Sequence, residues 1–463
     1  MEFPHVLAAL RQSRGLSQTR LAELLNESSG RITMTRSEIS RWERGARVPS
    51  TYWLKWLAGA LDVTLEQLEQ AKVTGELLPR DTLSGISSLA TGTERIADRL
   101  SYLDARSVLE SPWTPAGTVA AIVAVARGAA MDRRDFLIAT GSALTAHALG
   151  WADTLHEVSA ASNRGKRRLG LASAANIEQR IDELRHLEDE LGSEDLRTLA
   201  VSEYKFVSHL ADTCSYSDAV GRRLFTALAD VARMCGYIHF DTGRHASAQQ
   251  FYLGALRASS MAGNATVGAN ALASMAIQTY IKGNPHDAVN LIQTALDQAT
   301  AATPRVRAML HARSARALAK AGDRQASIRA LDAARDAFAA GSHDDDPAWV
   351  YWFDAREVET HSASCALDLG DADRALEFYG SARTLAGDMG LSHARDNLLW
   401  LTREAKAHLA LGDADAACAT AGQAVQENTL LNSARSTDEL ADFRSKLLPY
   451  RDTAAAREFL SLA

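Results

Sequence analysis

Apolar and polar positions alternate along this chain at helical spacing almost throughout. Within residues 4 to 70 they mark a set of short amphipathic helices. Val6, Leu7 and Leu10 share one face of a first helix over 5–13, and Leu21, Ala22, Leu24 and Leu25 share one face of a second. Ile39 and Trp42 form the apolar side of a third, and Trp53, Leu54, Leu57 and Ala58 that of a fourth. Capping residues set the boundaries. Ser17 stands as N-cap of the second helix, Thr35 and Glu38 form a capping box ahead of the third, and Ser50 precedes the fourth. Thr64 and Gln67 form another capping box before a fifth helix, and Gly45 ends the third.

The pattern changes twice further on. Residues 73 to 165 are rich in Gly, Ser and Thr, with Pro79, Pro112 and Pro115 as breakers, and read as a linker carrying apolar helices. Residues 166 to 463 read as helical hairpins, with an internal repeat clearest over 228–430. Gly243, Gly283, Gly322, Gly370 and Gly412 set its register. Seven residues before them stand the small residues Gly236, Ala276, Ala315, Ala363 and Ala405. Twelve residues after them stand Ala255, Ala295, Ala334, Ala382 and Ala424. Five after are Ala248, Ala288, Ser327, Ala375 and Ala417, and nine after are Tyr252, Ile292, Leu331 and Tyr379, with Ala421 breaking that column. Small residues let antiparallel helices approach closely, glycine closes the turn, and large residues fill the space between stacked hairpins.

Composition agrees with an all-α chain. Alanine is the commonest residue, and no proline lies between Pro115 and Pro285. The 46% of hydrophobic and 23% of charged residues are those of a globular protein. Cys214, Cys235, Cys365 and Cys418 have no CxxC spacing and read as reduced, buried thiols. The start lacks the features of a secretory signal, and the uncharged stretches 111–126 and 136–152 are shorter than a bilayer span of about 20 residues. The expectation is a cytoplasmic protein with no membrane contact.

Charge is local. The whole chain carries −7, yet Arg31, Arg36, Arg41, Arg44 and Arg47 face only Glu38 and Glu43 between residues 31 and 47, a net of +3.

Two resemblances follow from these residues. The spacing of small residue, turn glycine, alanine, aromatic and alanine resembles the tetratricopeptide repeat, with a period of 39 to 48 residues against that family's 34. The run Leu16-Ser17-Gln18, Leu21-Ala22, Ile39-Ser40-Arg41-Trp42-Glu43-Arg44-Gly45 and Pro49 resembles the helix-turn-helix of the Cro/C1 repressor class, the XRE family. Its 22 residues between Ser17 and Ile39 make a longer turn than that family has. As a whole the chain resembles the large helix-turn-helix/tetratricopeptide regulators of actinomycetes. The implied fold is a five-helix DNA-binding domain over 1–72, a helical linker over 73–165 and a tetratricopeptide-like α-solenoid over 166–463.

The resemblance also implies a role for each matching position. Ser17 and Gln18 would contact phosphate at the start of the second helix, and Arg31 in the long turn would add a further phosphate contact. Thr35, Arg36, Ser37, Ser40 and Arg41 would lie against the major groove, with Arg36 the first choice for base reading, then Arg41 or Ser40. Arg44 and Arg47 would hold phosphates. The implied partners are double-stranded DNA and a second copy of the chain on an inverted repeat, with a peptide, small molecule or protein as effector of the repeats. The competing expectation is an interaction scaffold whose N-terminal domain serves only for docking.

Other motifs read as structural. Met131-Asp132-Arg133-Arg134-Asp135-Phe136-Leu137 resembles a twin-arginine signal but stands mid-chain, where a buried helix packed on the repeats is expected. Lys166-Arg167-Arg168 reads as solvated surface, His239 and His408 as packing residues within repeats, and His343-Asp344-Asp345-Asp346 as a loop. Tyr237, Tyr280, Tyr351 and Trp352 are expected either to line a concave surface or to pack in the core. No phosphate loop, dinucleotide fingerprint, nucleophile elbow or HExxH motif occurs, so neither an enzyme nor a cofactor or metal site is expected.

Overall fold

The computed structural model describes residues 3–14, 16–29, 34–61, 63, 68, 71, 111–128, 140–155, 159–163, 165–386, 394–427 and 433–461. It is all-α apart from one short β-ladder, and it divides into two compact units, Met1–Ile96 and Ala97–Ala463.

The first unit contains α1 (Phe3–Ser13), α2 (Gln18–Ser29), α3 (Arg36–Glu43) and α4 (Thr51–Leu61). Their apolar faces close on one core holding Leu7, Leu21, Leu25, Ile39, Trp42, Leu54 and Leu57, the positions that the helical spacing selects. Of the expected fifth helix only Leu68 and Ala71 are described; both are helical and buried in this core.

In the second unit, five hairpins follow one another: α9 (Asp218–Asp241) with α10 (His245–Ala262), α11 (Ala265–Lys282) with α12 (Pro285–Gln298), α13 (Pro304–Lys320) with α14 (Arg324–Ala339), α15 (Ala355–Asp368) with α16 (Ala372–Ala386), and α17 (Ala394–Ala410) with α18 (Ala414–Glu427). Each pair packs along its length, and the first helices of successive hairpins also touch one another, so they form an inner layer and the second helices an outer one. Two further helices, α7 (Leu171–Leu191) and α8 (Ser193–Thr213), precede the array, and α19 (Ala434–Leu447) and α20 (Ala454–Ser461) follow it.

All five register glycines fall in the turn inside a hairpin. Four of them (Gly243, Gly322, Gly370 and Gly412) are left-handed, which excludes a β-carbon at little cost only for glycine. Gly283 differs: its φ is −135°, and Asn284 and Pro285 start the next helix instead. The residue after the turn glycine does further work. Asn284, Asp323, Asp371 and Asp413 each accept a hydrogen bond from a backbone N–H of the first turn of the second helix. The close approach of paired helices is seen at Gly236, where a β-carbon would stand 2.5 Å from the Tyr252 ring. Ala421, the break in the large-residue column, lies in a core cluster with Phe443 of α19 and Phe459 of α20.

Residues 111–128 and 140–155 are not separate from this array. The helix α5 (Pro115–Gly128) packs on α8 and α10, and α6 (Ser142–Thr154) packs on α10 and α12. Trp151 is fully buried and donates to Ser259 Oγ at 2.8 Å, and Tyr204 donates to the Ile122 carbonyl at 3.0 Å. Arg257, 1% exposed, donates to the Ser111 and Pro112 carbonyls and lies over the Trp113 ring. The arginine pair at 133–134 lies outside the described residues. Strands β1 (Ser162–Asn163) and β2 (Ser215–Tyr216) pair antiparallel, and the adjoining Lys166, Arg167 and Arg168 are exposed.

The array also curls back on itself. Helix α19 reaches α9, where Ser433 donates to Asp241 at 3.0 Å, and α11, where Lys282 meets Asp438 at 2.8 Å. The four cysteines are buried and unbridged, and no helix among the described residues is long and apolar enough to cross a membrane.

Candidate nucleic-acid interface

The third helix is short, so its placement depends on what holds its ends and its inner face. Ile39 and Trp42 are buried, at 0% and 3% exposure, and Trp42 meets Trp53 of α4 at 6.3 Å between ring centres. At the N-terminus Thr35 Oγ1 accepts from the Glu38 N–H at 3.3 Å, which is one half of the expected capping box. The other half does not form. The Glu38 carboxylate turns outward to Arg41 at 2.7 Å and Arg47 at 3.2 Å, because two arginines outbid one backbone donor. Gly45, at φ +72°, ends the helix as expected.

A part-buried ion pair fixes the helix to its neighbours. Glu43, the last residue of α3, accepts from Arg11 Nε at 2.6 Å and Nη2 at 3.0 Å and from Gln18 Nε2 at 2.8 Å. Arg11 also donates to the Leu16 carbonyl at 2.6 Å. One carboxylate therefore ties α1, the start of α2 and the end of α3 together, and the hydrogen bond to Glu43 raises the Arg11 pKa further above its ordinary value. Such bidentate, charge-assisted geometry fixes orientation as well as distance. In the sequence Glu43 stands out as part of the Ile39–Gly45 run and as a charge opposing the arginines, and nothing local points to this clamp.

The long turn before α3 is closed at its base. Helix α2 runs on to Ser29, which absorbs part of the extra length. Asn26 then accepts from the Met34 N–H at 2.8 Å and donates to the Met34 carbonyl at 2.9 Å, while the Met34 side chain is buried. Arg31 lies outside the described residues.

The other expected contact residues distribute as follows. Ser17 is exposed and caps α2, accepting from the Arg20 N–H at 3.0 Å. Gln18 is half-buried, with one amide hydrogen directed at Glu43. Thr35, Arg36, Ser37, Arg41, Arg44 and Arg47 are exposed, and Ser40 is half-buried. Arg36 has no partner among the described residues, whereas Arg44 Nε donates to the Ser40 carbonyl at 3.2 Å. One face of α3 thus presents Arg36, Ser37, Ser40, Arg41 and Arg44, and the opposite face is core. Ion pairs as exposed as Arg41–Glu38 and Arg47–Glu38 contribute about 0–1 kcal/mol, so both arginines exchange readily onto a phosphate.

Residues 2–71 match the family model of a helix-turn-helix domain. No curated protein matches the chain.

Proposed function

We propose that this protein is a sequence-specific DNA-binding transcription regulator, and not an enzyme. The N-terminal helix-turn-helix domain, of the XRE, Cro/C1 type, binds operator duplex as one half of a homodimer on an inverted repeat. The observation that carries this reading is α3 itself: a helix clamped by Glu43 and buried on Ile39 and Trp42, with an outward row led by Arg36, which has no partner among the described residues. An arginine so placed can pair bidentately with guanine O6 and N7 in the major groove. Arg44, Arg47, Ser17 and the second amide hydrogen of Gln18 then serve the phosphates on either side. A single module of this size gives limited affinity and specificity, which favours a dimer.

The tetratricopeptide-like array supplies dimerisation and the effector-sensing surface, in the cytoplasm. An effector changes DNA affinity only by binding the competent and incompetent arrangements unequally.

The test is selection of bound sequences from random duplex DNA by the full chain at a stated salt concentration. A spaced palindrome is expected. Well-folded protein that enriches no sequence, with or without added cell extract as an effector source, contradicts the reading and favours a scaffold.

A further inference from the structure

The inner layer of the array encloses a cavity, and the repeat register shows which side chains reach it. Positions nine and six before the turn glycine face inward on the third, fourth and fifth hairpins: Arg313 and Arg316, His361 and Ser364, Arg403 and Lys406. Most of these cations already have carboxylates. Arg316 meets Asp368 at 2.5 Å, Arg403 meets Glu439 at 3.2 Å, and Lys406 meets Glu439 at 3.0 Å and Asp442 at 2.6 Å. Each of these pairs links an inner helix to the next one.

Arg313 is the exception. It is half-buried on α13, its guanidinium lies over the Trp352 ring at 5.3 Å, and no carboxylate among the described residues stands within ion-pair distance of it. Opposite, His361 is buried with Nδ1 against the Glu357 carbonyl at 2.9 Å. Burial, and the charges of Arg313, Arg316 and Arg403, hold that imidazole well below its ordinary pKa and so neutral. Three guanidiniums therefore surround a group that adds no charge, and one of them, Arg313, has no ion-pair partner among the described residues. Glu357, the carboxylate on this level of α15, lies 3.6 Å from His361 Nδ1.

The remaining walls mix the rings of Tyr280, Trp349, Trp352 and Trp400 with charge: Arg185, Arg233 and Arg435 against the carboxylates Glu188, Asp189 and Glu357, so that arginines outnumber carboxylates in the lining. The cavity holds about 140 Å³ and adjoins a wider one of about 710 Å³, with Tyr280, Arg316 and Arg403 lining both. In volume alone, about 150 Å³ is the space that a single benzene ring occupies in a protein cavity. Aromatic rings set among an excess of arginines suit a flat ring bearing one negative group.

We infer that this cavity is a binding site for a small organic anion, a single-ring-sized body carrying one carboxylate or phosphate, with Arg313 as its anchor. The inference rests on the regulator reading only in making that anion the effector.

The experiment is a titration of the full chain, without DNA, with benzoate, phenyl phosphate and neutral benzamide, followed by tryptophan emission. Saturable binding of benzoate or phenyl phosphate is expected at one site per chain, with benzamide at least tenfold weaker; the tighter anion distinguishes a carboxylate from a phosphate ligand. Arg313→Met should weaken the anion at least tenfold, and Arg313→Lys should restore part of the loss. Ser274→Phe, which fills the cavity without altering charge, keeps the test open if the Arg313 variant misfolds, and it should abolish binding. Benzamide binding as tightly as the anions, undiminished binding to Arg313→Met or Ser274→Phe, or no saturation by either anion at millimolar concentration overturns the site. Because no DNA is present, a failed titration and a failed duplex selection are separate results.

Discussion

Arginine does opposite things in the two units of this chain. In the helix-turn-helix domain, Arg41 and Arg47 share Glu38 at the surface, with side chains 55% and 66% exposed, and Arg36 has no partner among the described residues. In the array, Arg316 meets Asp368 with only 4% of its side chain exposed, and Arg257 is buried against two carbonyls and an indole ring. A guanidinium in water exchanges its partners cheaply, and one out of water does not. The first kind is suited to contact a polyanion that comes and goes. The second kind holds helices together, and burial brings the Arg257 pKa down to about 10. Arg11 shows that the contrast follows environment and not domain, since its part-buried pair with Glu43 is structural within the helix-turn-helix unit.

The sharpest way to break this comparison is to remove a carboxylate from each side. Asp368→Ala leaves Arg316 buried without its counter-charge and should cost about 3–5 kcal/mol in chemical denaturation of the array. Glu38→Ala should cost under about 1 kcal/mol in the N-terminal domain. Equal costs would show that exposure does not divide the two groups.

Next in size is the close contact that the small residues of the repeat permit. Gly236→Ala drives a methyl group into the Tyr252 ring and should destabilise by about 1–3 kcal/mol, read as a lower thermal midpoint. Unchanged stability would mean that the helix pair opens without strain.

Acid separates the units as well. His239 is buried, with Nδ1 on the Cys235 carbonyl at 2.8 Å, and burial lowers its pKa to about 4. Its ordinary value is 6.5, so between about pH 6.5 and 4 the unfolded chain takes up the proton that the folded chain refuses. Stability of the array should therefore fall as pH drops through that window, by up to about 1.4 kcal/mol per pH unit from this residue. In His239→Gln the slope should be shallower, as measured by denaturant midpoints across the window.

The smallest effect is at the cap of α3. Thr35→Ala removes a single hydrogen bond and should cost about 1 kcal/mol of domain stability, seen by thermal unfolding. A larger loss would mean that Glu43 is not what holds α3.

Much of this architecture is legible in the sequence because it rests on short-range rules. Turn glycines, the small residues that face each other across them and the inward Ile39 and Trp42 all follow from spacing within a hairpin or a helix. The Gly-Asn and Gly-Asp pairs at 283–284, 322–323, 370–371 and 412–413 carried a further signal, a cap for each second helix, that the alanine columns overshadowed. What escaped depends on distance along the chain. Glu43 meets Arg11 across 32 residues, and Ser433 meets Asp241 across 192. No local pattern reports such contacts, nor the docking of α5 and α6 on the array. The capping box at Thr35 was half right because Glu38 had arginines within reach that spacing rules ignore.

The most direct test of the central claim compares Arg36→Ala with Arg47→Ala in the full chain, each titrated against the selected duplex and against random duplex over a range of salt. Arg36→Ala should lose about 1–3 kcal/mol on the selected duplex, relax preference at one base pair and leave random binding nearly unchanged. Arg47→Ala should weaken both duplexes alike and reduce the salt slope by about one. Equal loss on both duplexes for Arg36→Ala would contradict the assignment of α3 as the helix that reads the bases.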